Sequence, residues 1–462
     1  MSRNIYIYYE FYKREFLSNL LLSIIAAKKN FNVYIGSNNV FNILHKKRLL
    51  SPGIFHTKSL SHGTKKTNFH KELKIDKFII TSIDQEHGVI DKGSFDDLFI
   101  KPRVDIKDLS FCDTYFCWGK FDFKYLKKKF KKNLFYISGS PRVDLWKEKF
   151  DKLWKKKVIK KNYVLFVSNF SFTNNYYPFK EILQRKKLEN YYLRSPNLKK
   201  EEIEYFKYQV KSMKKFTNLI LNFSKKFPNE DIILRPHPTE KIEYWQNKFK
   251  NYENIKIKPE GDLSTYIRNA KLVVQDGCTS AMESYISNIP VINYIPVRSN
   301  KHSLGQFIKK MSLNIYSEEK FFKVFKSKKY KLLKNKKDLV NHRMIYLDKK
   351  LSSQKITDIW EKLFKKNNFL TTNISFLKND NFKILIFLFF IQNFKSFLTT
   401  FILFFKRKMY LKKIFDHKNE KLDTFVIKEK VEQLKSILKI KNNFKISKLG
   451  KDLIFISLKN NN

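Results

Sequence analysis

Short apolar runs of strand length alternate with amphipathic stretches of helix length along this chain. Ile5 to Tyr9 has the pattern of a buried strand, Arg14 to Lys28 repeats large apolar residues at helical spacing, and Asn32 to Gly36 is the next apolar run. A strand, a helix and a strand in this order predict a β-α-β unit, and units of this kind build a parallel sheet. The start of the chain therefore predicts an α/β fold.

The alternation forms two series that are separated by a basic stretch. Strands are predicted at 78–83, 114–118 and 134–137 in the first series, and at 163–167, 231–235, 255–258, 271–275 and 290–294 in the second. Between the two series, Lys147 to Lys161 is strongly basic and has few apolar residues. We therefore predict two Rossmann-like domains, residues 1–150 and 160–345, because a chain of 462 residues is too long for one ordinary core. Residues 174–196 are predicted to be an irregular insertion in the second domain.

The last part of the chain, residues 346–462, is predicted to be a helical extension. Its segment 382–405 is rich in Phe, Ile and Leu, but the longest unbroken apolar stretch, 384–391, has only eight residues. A membrane-spanning helix needs about 20 mostly apolar residues. Two interpretations stay open: an interfacial or protein-docked helical segment, and an ordinary buried helix hairpin.

The formal net charge of +51 comes from 94 Lys and Arg against 43 Asp and Glu. The lysines are spread along the whole chain, which is more typical of a solvated surface than of a nucleic-acid groove. A charge of this size still attracts anionic partners, and the candidates are an acidic membrane leaflet, a nucleotide-sugar and nucleic acid.

Several absences narrow the class of protein. The three cysteines form no CxxC pair, so neither a disulfide framework nor a zinc cluster is indicated, which fits a reducing cytosol. The N-terminus enters a strand pattern directly and lacks the apolar segment of a signal peptide. The sequence has no GxGxxG, GxxxxGK[ST] or HExxH motif, which weakens dinucleotide-binding, P-loop and zinc-protease interpretations.

The run Arg235-Pro236-His237-Pro238 follows a predicted strand of the second domain. The prolines fix the backbone on both sides of His237 and stop a helix from starting there. In this rigid turn the imidazole can bind a phosphate oxygen, and Arg235 can add a bidentate contact. The alternative is a structural turn with a solvent-facing histidine.

A second strand of the same domain leads into Asp276-Gly277-Cys278-Thr279-Ser280 and on to Glu283. Gly277 lets the backbone turn sharply next to a ligand. Thr279 and Ser280 open a helix whose N–H groups attract phosphate. Glu283 is either an acceptor for ribose hydroxyls or the last residue of a capping box with Ser280. With Arg235, His237 and Asp276, these residues form the predicted nucleotide site.

The first domain supplies carboxylates that follow predicted strands. Asp84 or Glu86 can act as a general base toward an acceptor hydroxyl, and the alternative is a turn with solvated acids. Glu10 is a similar candidate with weaker support, and we assign it with Arg14 and Arg142 to acceptor binding. For Arg142 the alternative is an ion pair with Asp144 that pins the turn between the domains.

These residues together resemble the bacterial surface carbohydrate (surface polysaccharide) biosynthesis proteins and, more widely, two-domain GT-B transferases. The resemblance rests on Arg14-Glu15, the turn 84–88, Trp118-Gly119, the run 139–144, the Arg-Pro-His-Pro turn and Asp276-Gly277-x-x-Ser280, and it covers roughly residues 1–300. It implies a GT-B-like fold of two facing Rossmann-like domains, with the nucleotide donor in the second and the acceptor and base in the first. It also implies that His237 contacts donor phosphate, that Thr279, Ser280 and Glu283 contact phosphate and ribose, and that neither a metal nor a cofactor is needed. One departure is Cys278, which stands where the family often has Ser or Gly.

The resemblance implies a glycosyltransferase that moves a sugar from a nucleotide-sugar to a glycan or lipid-linked glycan acceptor, such as a capsule or lipopolysaccharide chain. The basic surface and segment 382–405 would keep it at the inner face of the cytoplasmic membrane, without a specific nucleic-acid partner. The alternatives are a CDP-glycerol-type glycerophosphotransferase and a non-hydrolysing nucleotide-sugar epimerase. A further alternative is a non-catalytic polysaccharide-assembly or nucleic-acid-binding protein.

Overall fold

The fold is taken from a computed structural model of the chain. It describes residues 3–10, 12–85, 100–154, 162–188, 191–194, 197–299, 302, 306–331, 342–345, 347, 350–367, 394, 398, 423–450 and 452–459. Nearly all of the apolar segment 382–405 lies outside these residues, as does Glu86.

The chain divides into two compact units. The first contains Met1–His87, Pro102–Leu145 and Lys337–Asn462, and the second contains Gly88–Lys101 and Trp146–Lys336. The first unit therefore takes in the C-terminal part of the chain in addition to the N-terminal part, whereas the sequence predicted a separate extension after residue 345.

The first unit is built on an eight-stranded sheet with the order β13-β14-β2-β1-β3-β4-β5-β6. Its strands are β1 (Asn4–Tyr8), β2 (Asn32–Gly36), β3 (Ile54–Thr57), β4 (Ile79–Ile83), β5 (Thr114–Cys117), β6 (Phe135–Ile137), β13 (Phe444–Gly450) and β14 (Leu453–Leu458). Six of these strands, β1 to β6, pair in parallel. This is the parallel sheet that the β-α-β pattern at the start of the chain predicted.

The C-terminal hairpin β13–β14 shows that the predicted extension is not entirely helical. Strand β14 pairs antiparallel with β2, with Ile454 opposite Ile35 and Ile456 opposite Val33. Leu453, Ile454, Phe455 and Ile456 are all buried. The hairpin therefore covers an edge of the parallel sheet that would otherwise expose unpaired backbone groups.

The second unit is built on a six-stranded, fully parallel sheet with the order β12-β11-β10-β7-β8-β9. Its strands are β7 (Tyr163–Val167), β8 (Ile232–Arg235), β9 (Ile255–Ile257), β10 (Ala270–Gln275), β11 (Val291–Tyr294) and β12 (Leu313–Ile315). The prediction of an α/β protein with two Rossmann-like units is confirmed.

Helices cover both faces of the second sheet, which explains why its strands are apolar throughout. Val164 and Phe166 of β7 pack in one core cluster with Phe216, Phe223 and Trp245. Leu165 and Val167 lie in another cluster with Ile267, Val273 and Ala281. Alternate residues of one strand therefore serve two cores, as the twofold side-chain period of a strand requires.

Most helices fall in the gaps between strands. In the first unit and its border they are α1 (Tyr12–Lys28), α2 (Asn38–Lys46), α3 (Thr64–Ile75), α4 (Lys101–Arg103), α5 (Ile106–Phe111), α6 (Lys120–Phe130) and α7 (Pro141–Asp144). In the second unit they are α8 (Asp151–Trp154), α9 (Phe179–Leu188), α10 (Leu198–Lys226), α11 (Ile242–Phe249), α12 (Leu263–Asn269), α13 (Ser280–Ile286), α14 (Gln306–Met311) and α15 (Glu318–Lys326). Helices α16 (Ser352–Lys366) and α17 (Thr424–Leu438) belong to the C-terminal part of the first unit.

Two findings concern elements that the sequence left open. Segment 174–196, predicted to be irregular, contains helix α9 and a short 3-10 helix at Tyr191–Arg194. None of the residues of α9 is buried, and the helical spacing of Phe179, Ile182 and Leu183 was overlooked in the sequence. Among the described residues, no helix combines the length and the apolar character needed to cross a bilayer.

Candidate functional site

The order of the second sheet places a topological switch point between β7 and β10. Strand β7 is first in the chain, β8 and β9 follow on one side of it, and β10 and β11 lie on the other side. In open parallel sheets, ligands bind beyond the carboxyl ends of the strands at such a point. At this point the Nδ2 atom of Asn169, after β7, donates to the carbonyl oxygen of Asp276, after β10, at 3.5 Å. The predicted nucleotide residues therefore lie at the position where this fold class binds ligands.

His237 lies on the turn after β8, the strand next to β7. Its Nδ1 atom is 2.9 Å from Oγ1 of Thr239 and 3.3 Å from the backbone N of Thr239. Since Nδ1 accepts from that backbone N–H, the proton of the neutral ring belongs on Nε2. The imidazole is half-buried.

Arg235 is buried, and its guanidinium holds a neighbouring loop. Nη1 donates to the carbonyl oxygens of Lys258 and Glu260, and Nη2 donates to that of Gly261. These bonds fix the loop that follows β9, where Gly261 has a φ of +75°. This structural role accounts for Arg235 without a ligand, and the phosphate contact predicted for it stays a prediction.

Glu240 is a site residue that the sequence reasoning missed. It is fully buried and accepts hydrogen bonds from Oγ of Ser168, the backbone N of Phe170 and Nε1 of Trp245, each at 2.8 Å. It thereby ties the turn after β8 to the loop after β7. Its position three residues after His237 in a polar turn was visible in the sequence, but two of its three partners, Ser168 and Phe170, lie about 70 residues upstream.

A row of three amide side chains supports the turn after β10. Gln275, Asn293 and Asn314 are opposite one another on β10, β11 and β12. Asn293 accepts from the backbone N of Gly277 at 3.0 Å through Oδ1, and its Nδ2 donates to Asn314 at 3.2 Å. Gly277 has a φ of +63°, a conformation that glycine adopts at little cost. The amides therefore hold the Asp276–Gly277 backbone in a fixed shape.

The carboxyl group of Asp276 lies in aromatic surroundings. Burial raises its pKa from 3.8 to about 7. Its charge in turn helps to raise the pKa of Tyr205 and Tyr208 on α10 and of Tyr294 on β11, for each of which burial is the larger cause. Near neutral pH this side chain can thus act either as a carboxylic acid that donates a hydrogen bond or as a carboxylate.

Thr279 and Ser280 lie where α13 begins, as predicted. Thr279 is the N-cap residue, and its side chain makes no capping hydrogen bond. Ser280 is buried, and its Oγ has no hydrogen-bond partner among the residues that the structure describes. A buried hydroxyl without a partner costs free energy, so this position favours an additional polar contact.

Glu283 is buried against α12 and does not close the capping box that the sequence suggested. Its Oε1 accepts from Oγ of Ser264 and lies 3.7 Å from Nη1 of Arg268. The alternative of a capping box with Ser280 is not supported, because Thr279 is the N-cap residue and Oγ of Ser280 has no hydrogen-bond partner among the described residues. The ribose contact stays a prediction.

The first sheet has its own switch point, between β1 and β3, and it carries a second polar cluster. Nζ of Lys58, which follows β3, forms ion pairs with Glu10, which follows β1, and with Glu15 at 3.5 Å. Glu15 is fully buried and also pairs with Arg14 at 3.2 Å. The structure thus brings the predicted residues Glu10 and Arg14 together, and it adds Lys58 and Glu15.

Asp84 follows β4 and is 2% exposed. Its two carboxylate oxygens accept from Nε and Nη2 of Arg103, at 2.9 Å and 3.1 Å. A buried bidentate pair of this kind holds the local chain in place. The role of general base that we predicted for Asp84 or Glu86 stays a prediction, with Glu86 outside the described residues.

Arg142 and Asp144 contribute to the internal structure of the first unit. Nη1 of Arg142 donates to the carbonyl oxygen of Gln85 at 3.2 Å. Asp144 is fully buried and accepts from the backbone N of Ser352 at 2.9 Å and of Ser353 at 2.8 Å, so it caps α16. Acceptor binding by Arg142 stays a prediction.

Within the part of the chain that is described, no three or more His, Cys, Asp or Glu side chains lie close enough together to hold a metal ion. Cys112 and Cys117 are buried, Cys278 is half-buried, and none of the three forms a disulfide bond. The predicted lack of a metal and of a cofactor stays a prediction.

Neither a family model nor a curated protein matches the sequence. Among solved structures, the UDP-GlcNAc 2-epimerase from Methanocaldococcus jannaschii is similar, with 15% identity and a TM-score of 0.48 over 78% of this chain and 100% of that chain. The UDP-GlcNAc 2-epimerase from Neisseria meningitidis bound to UDP-GlcNAc has 11% identity and a TM-score of 0.46 over 79% and 100%. The wall teichoic acid polymerase TagF has 12% identity and a TM-score of 0.48 over 79% and 89%. Similarities this distant assign no activity to the chain.

Proposed function

We propose that the chain is a glycosyltransferase-like enzyme of surface polysaccharide biosynthesis. In this proposal the second unit binds a nucleotide-sugar, and the sugar is transferred to a glycan or lipid-linked glycan acceptor bound by the first unit. No metal and no cofactor take part, and the nucleotide-sugar is a co-substrate. The enzyme works in the cytoplasm at an anionic membrane surface.

The observation that carries the proposal is the coincidence of polar clusters with sheet topology. In the first sheet, Glu10 and Arg14 lie at the switch point. In the second sheet, Asp276 lies at the switch point, and His237 follows the next strand, β8. Because these are the positions at which open α/β sheets bind ligands, a two-substrate enzyme is the simplest use of the two clusters.

The chemistry follows from the donors of the second cluster. In sugar transfer, the acceptor hydroxyl oxygen bonds to the anomeric carbon and gives its proton to the general base. The bond from the anomeric carbon to the phosphate oxygen breaks, and negative charge develops on the leaving phosphate. Nε2–H of His237 and a protonated Asp276 can each donate to a phosphate oxygen, and such preorganised donors stabilise developing charge. The strand ends that carry them are separated by one strand, hence by roughly 10 Å, a span over which a diphosphate and its ribose can make contacts at both.

The experiment measures nucleotide release with a panel of nucleotide-sugars and CDP-glycerol, in the presence of a lipid-linked glycan acceptor. We expect His237→Ala to lower turnover by roughly 10²-fold or more, the usual effect of removing one transition-state donor. His45→Gln is the matched control, because His45 lies on α2 and contacts Asp76 in the first unit. Equal turnover of wild type and His237→Ala would overturn the role of His237.

The same panel separates the alternatives. Conversion of a nucleotide-sugar without any acceptor would identify an epimerase. Turnover of CDP-glycerol alone would identify a glycerophosphotransferase. Binding that ignores nucleotide-sugars and falls steeply with salt would indicate a non-catalytic protein that binds polyanions.

A further inference from the structure

One surface segment of the second unit has exposed aliphatic side chains next to exposed basic ones. We call it the basic elbow: helix α9 (Phe179–Leu188), the 3-10 helix at Tyr191–Arg194 and the start of α10 at Leu198 to Lys200. Leu188 is 82% exposed and Leu193 is 83% exposed. A single exposed leucine is ordinary, but these two are only five positions apart in the chain.

The elbow is strongly basic. From residue 179 to residue 200 the chain has seven Lys or Arg and two Glu. The basic side chains whose exposure is described and high are Lys180, Arg185, Lys187, Lys199 and Lys200. The acidic residues in this part of the chain and directly after it are Glu181, Glu189, Glu201, Glu202 and Glu204. Glu202 is already paired with Lys186.

The elbow is also anchored to the body of the second unit. The rings of Phe179 and Phe206 stack with centroids 4.0 Å apart. The hydroxyl of Tyr192 donates to Glu202 at 2.7 Å, and Lys186 pairs with the same carboxylate. These contacts hold the elbow against the second unit, and the two leucines are exposed in this anchored conformation.

We propose that the basic elbow docks the protein on an anionic lipid surface, with Leu188 and Leu193 entering the interface and the exposed Lys and Arg facing the head groups. Basic residues next to aliphatic ones are the combination that binds acidic membranes at the interface. A second copy of this chain is disfavoured as the occupant, because it carries the same charge of +51. Nucleic acid would use the basic side chains but would gain little from exposed leucines.

This inference does not depend on the proposed enzymatic activity, since the elbow holds none of the predicted nucleotide residues. It differs from the earlier expectation that segment 382–405 contacts the membrane, because it assigns the contact to a described part of the second unit.

The test is co-flotation of the full chain with vesicles of phosphatidylglycerol and phosphatidylcholine, compared with vesicles of phosphatidylcholine alone. Three double variants are compared with wild type: Leu188→Ser with Leu193→Ser, Arg185→Gln with Lys187→Gln, and the control Ile75→Ser with Ile106→Ser. The control residues are 68% and 70% exposed on the first unit. Circular dichroism and thermal unfolding verify that every variant is folded.

We expect wild type and the control to float with the anionic vesicles only. The partition coefficient of the leucine variant onto the anionic vesicles should fall about tenfold or more, because two aliphatic side chains no longer enter the interface. The glutamine variant should also bind the anionic vesicles more weakly than wild type. This difference should be larger at low salt, where charges are screened less. Nucleotide binding by all variants should equal that of wild type, which keeps this test distinct from that of the proposed function.

Three results would overturn the inference. The first is flotation of the leucine variant equal to that of wild type. The second is a wild-type dimer in light scattering that the leucine substitutions dissociate. The third is binding to single-stranded RNA that competes with vesicles and is insensitive to the leucine substitutions.

Discussion

At the residue scale, contacts with distant parts of the chain hold Arg235 and Glu240 in place. His237 and Asp276 could be singled out because Pro and Gly mark turns at strand ends. Arg235 and Glu240 could not be distinguished in the same way, because their partners lie about 25 and 70 residues away in the chain. The sequence suggested a phosphate ligand for Arg235, whereas the structure shows a clamp on the loop after β9.

The pKa of Asp276 leads to a prediction about nucleotide binding. Because this pKa is about 7, Asp276 is protonated in mildly acidic solution and can donate to phosphate, whereas its carboxylate repels phosphate above that pH. We expect the affinity for a nucleoside diphosphate to fall as the pH rises from 6 to 8.5. Asp276→Asn, whose amide also donates, should keep its affinity across that range.

Isothermal titration calorimetry at several pH values checks this expectation, and the Asn variant serves as the control for titration of the phosphate itself. Folding gives a second readout of the same group. A folded-state pKa above 3.8 means that the folded protein binds this proton more tightly, so its contribution to stability declines from about pH 4 to pH 7 and is absent in Asp276→Asn. An affinity of wild type that follows the same pH curve as Asp276→Asn would show that Asp276 does not contact the nucleotide.

At the scale of elements, two motifs of the first unit turn out to hold the C-terminal part of the chain. A Cβ atom on Gly119 would lie 2.3 Å from the carbonyl oxygen of Arg343, and one on Gly139 would lie 2.2 Å from Oγ of Ser352. Asp144 caps the helix that begins at Ser352. In the sequence these motifs carried only the family resemblance, because a partner 208 residues away leaves no local pattern.

Asp144 offers a direct test of this packing. We expect Asp144→Ala to lower the free energy of unfolding by about 2 kcal/mol or more, since a buried cap is lost and two backbone N–H groups lose their acceptor. Asp144→Asn should lose less, because its carbonyl can still accept. Urea unfolding measures both, and nucleotide binding by the second unit is expected to persist. An unchanged midpoint and slope for Asp144→Ala would contradict the role of the cap.

At the scale of the whole molecule, periodicity predicted both parallel sheets, and most strands were placed within a residue or two. Asn32–Gly36 and Tyr163–Val167 coincide with their predictions. The C-terminal hairpin was missed, because β14 joins the sheet through a pairing with β2 from more than 400 residues earlier. Long-range pairing of this kind follows from tertiary contacts, so it is invisible to a scan of local patterns.

The two switch points could be located only once the strand order was known. Sequence patterns predicted strand ends with polar residues, but they missed β3, which lies beside β1, and did not show that β7 lies beside β10. This order is what joins scattered motifs into two candidate sites, and the central claim is that the second of them binds a nucleotide.

Hydrogen–deuterium exchange of the full chain, with and without saturating UDP or CDP, tests that claim most directly. The account predicts slower exchange in peptides that cover 235–241 and 276–283 of the second unit, and no such protection in the His237→Ala variant at the same nucleotide concentration. Protection confined to the first unit, or none in either unit at millimolar nucleotide, would contradict it.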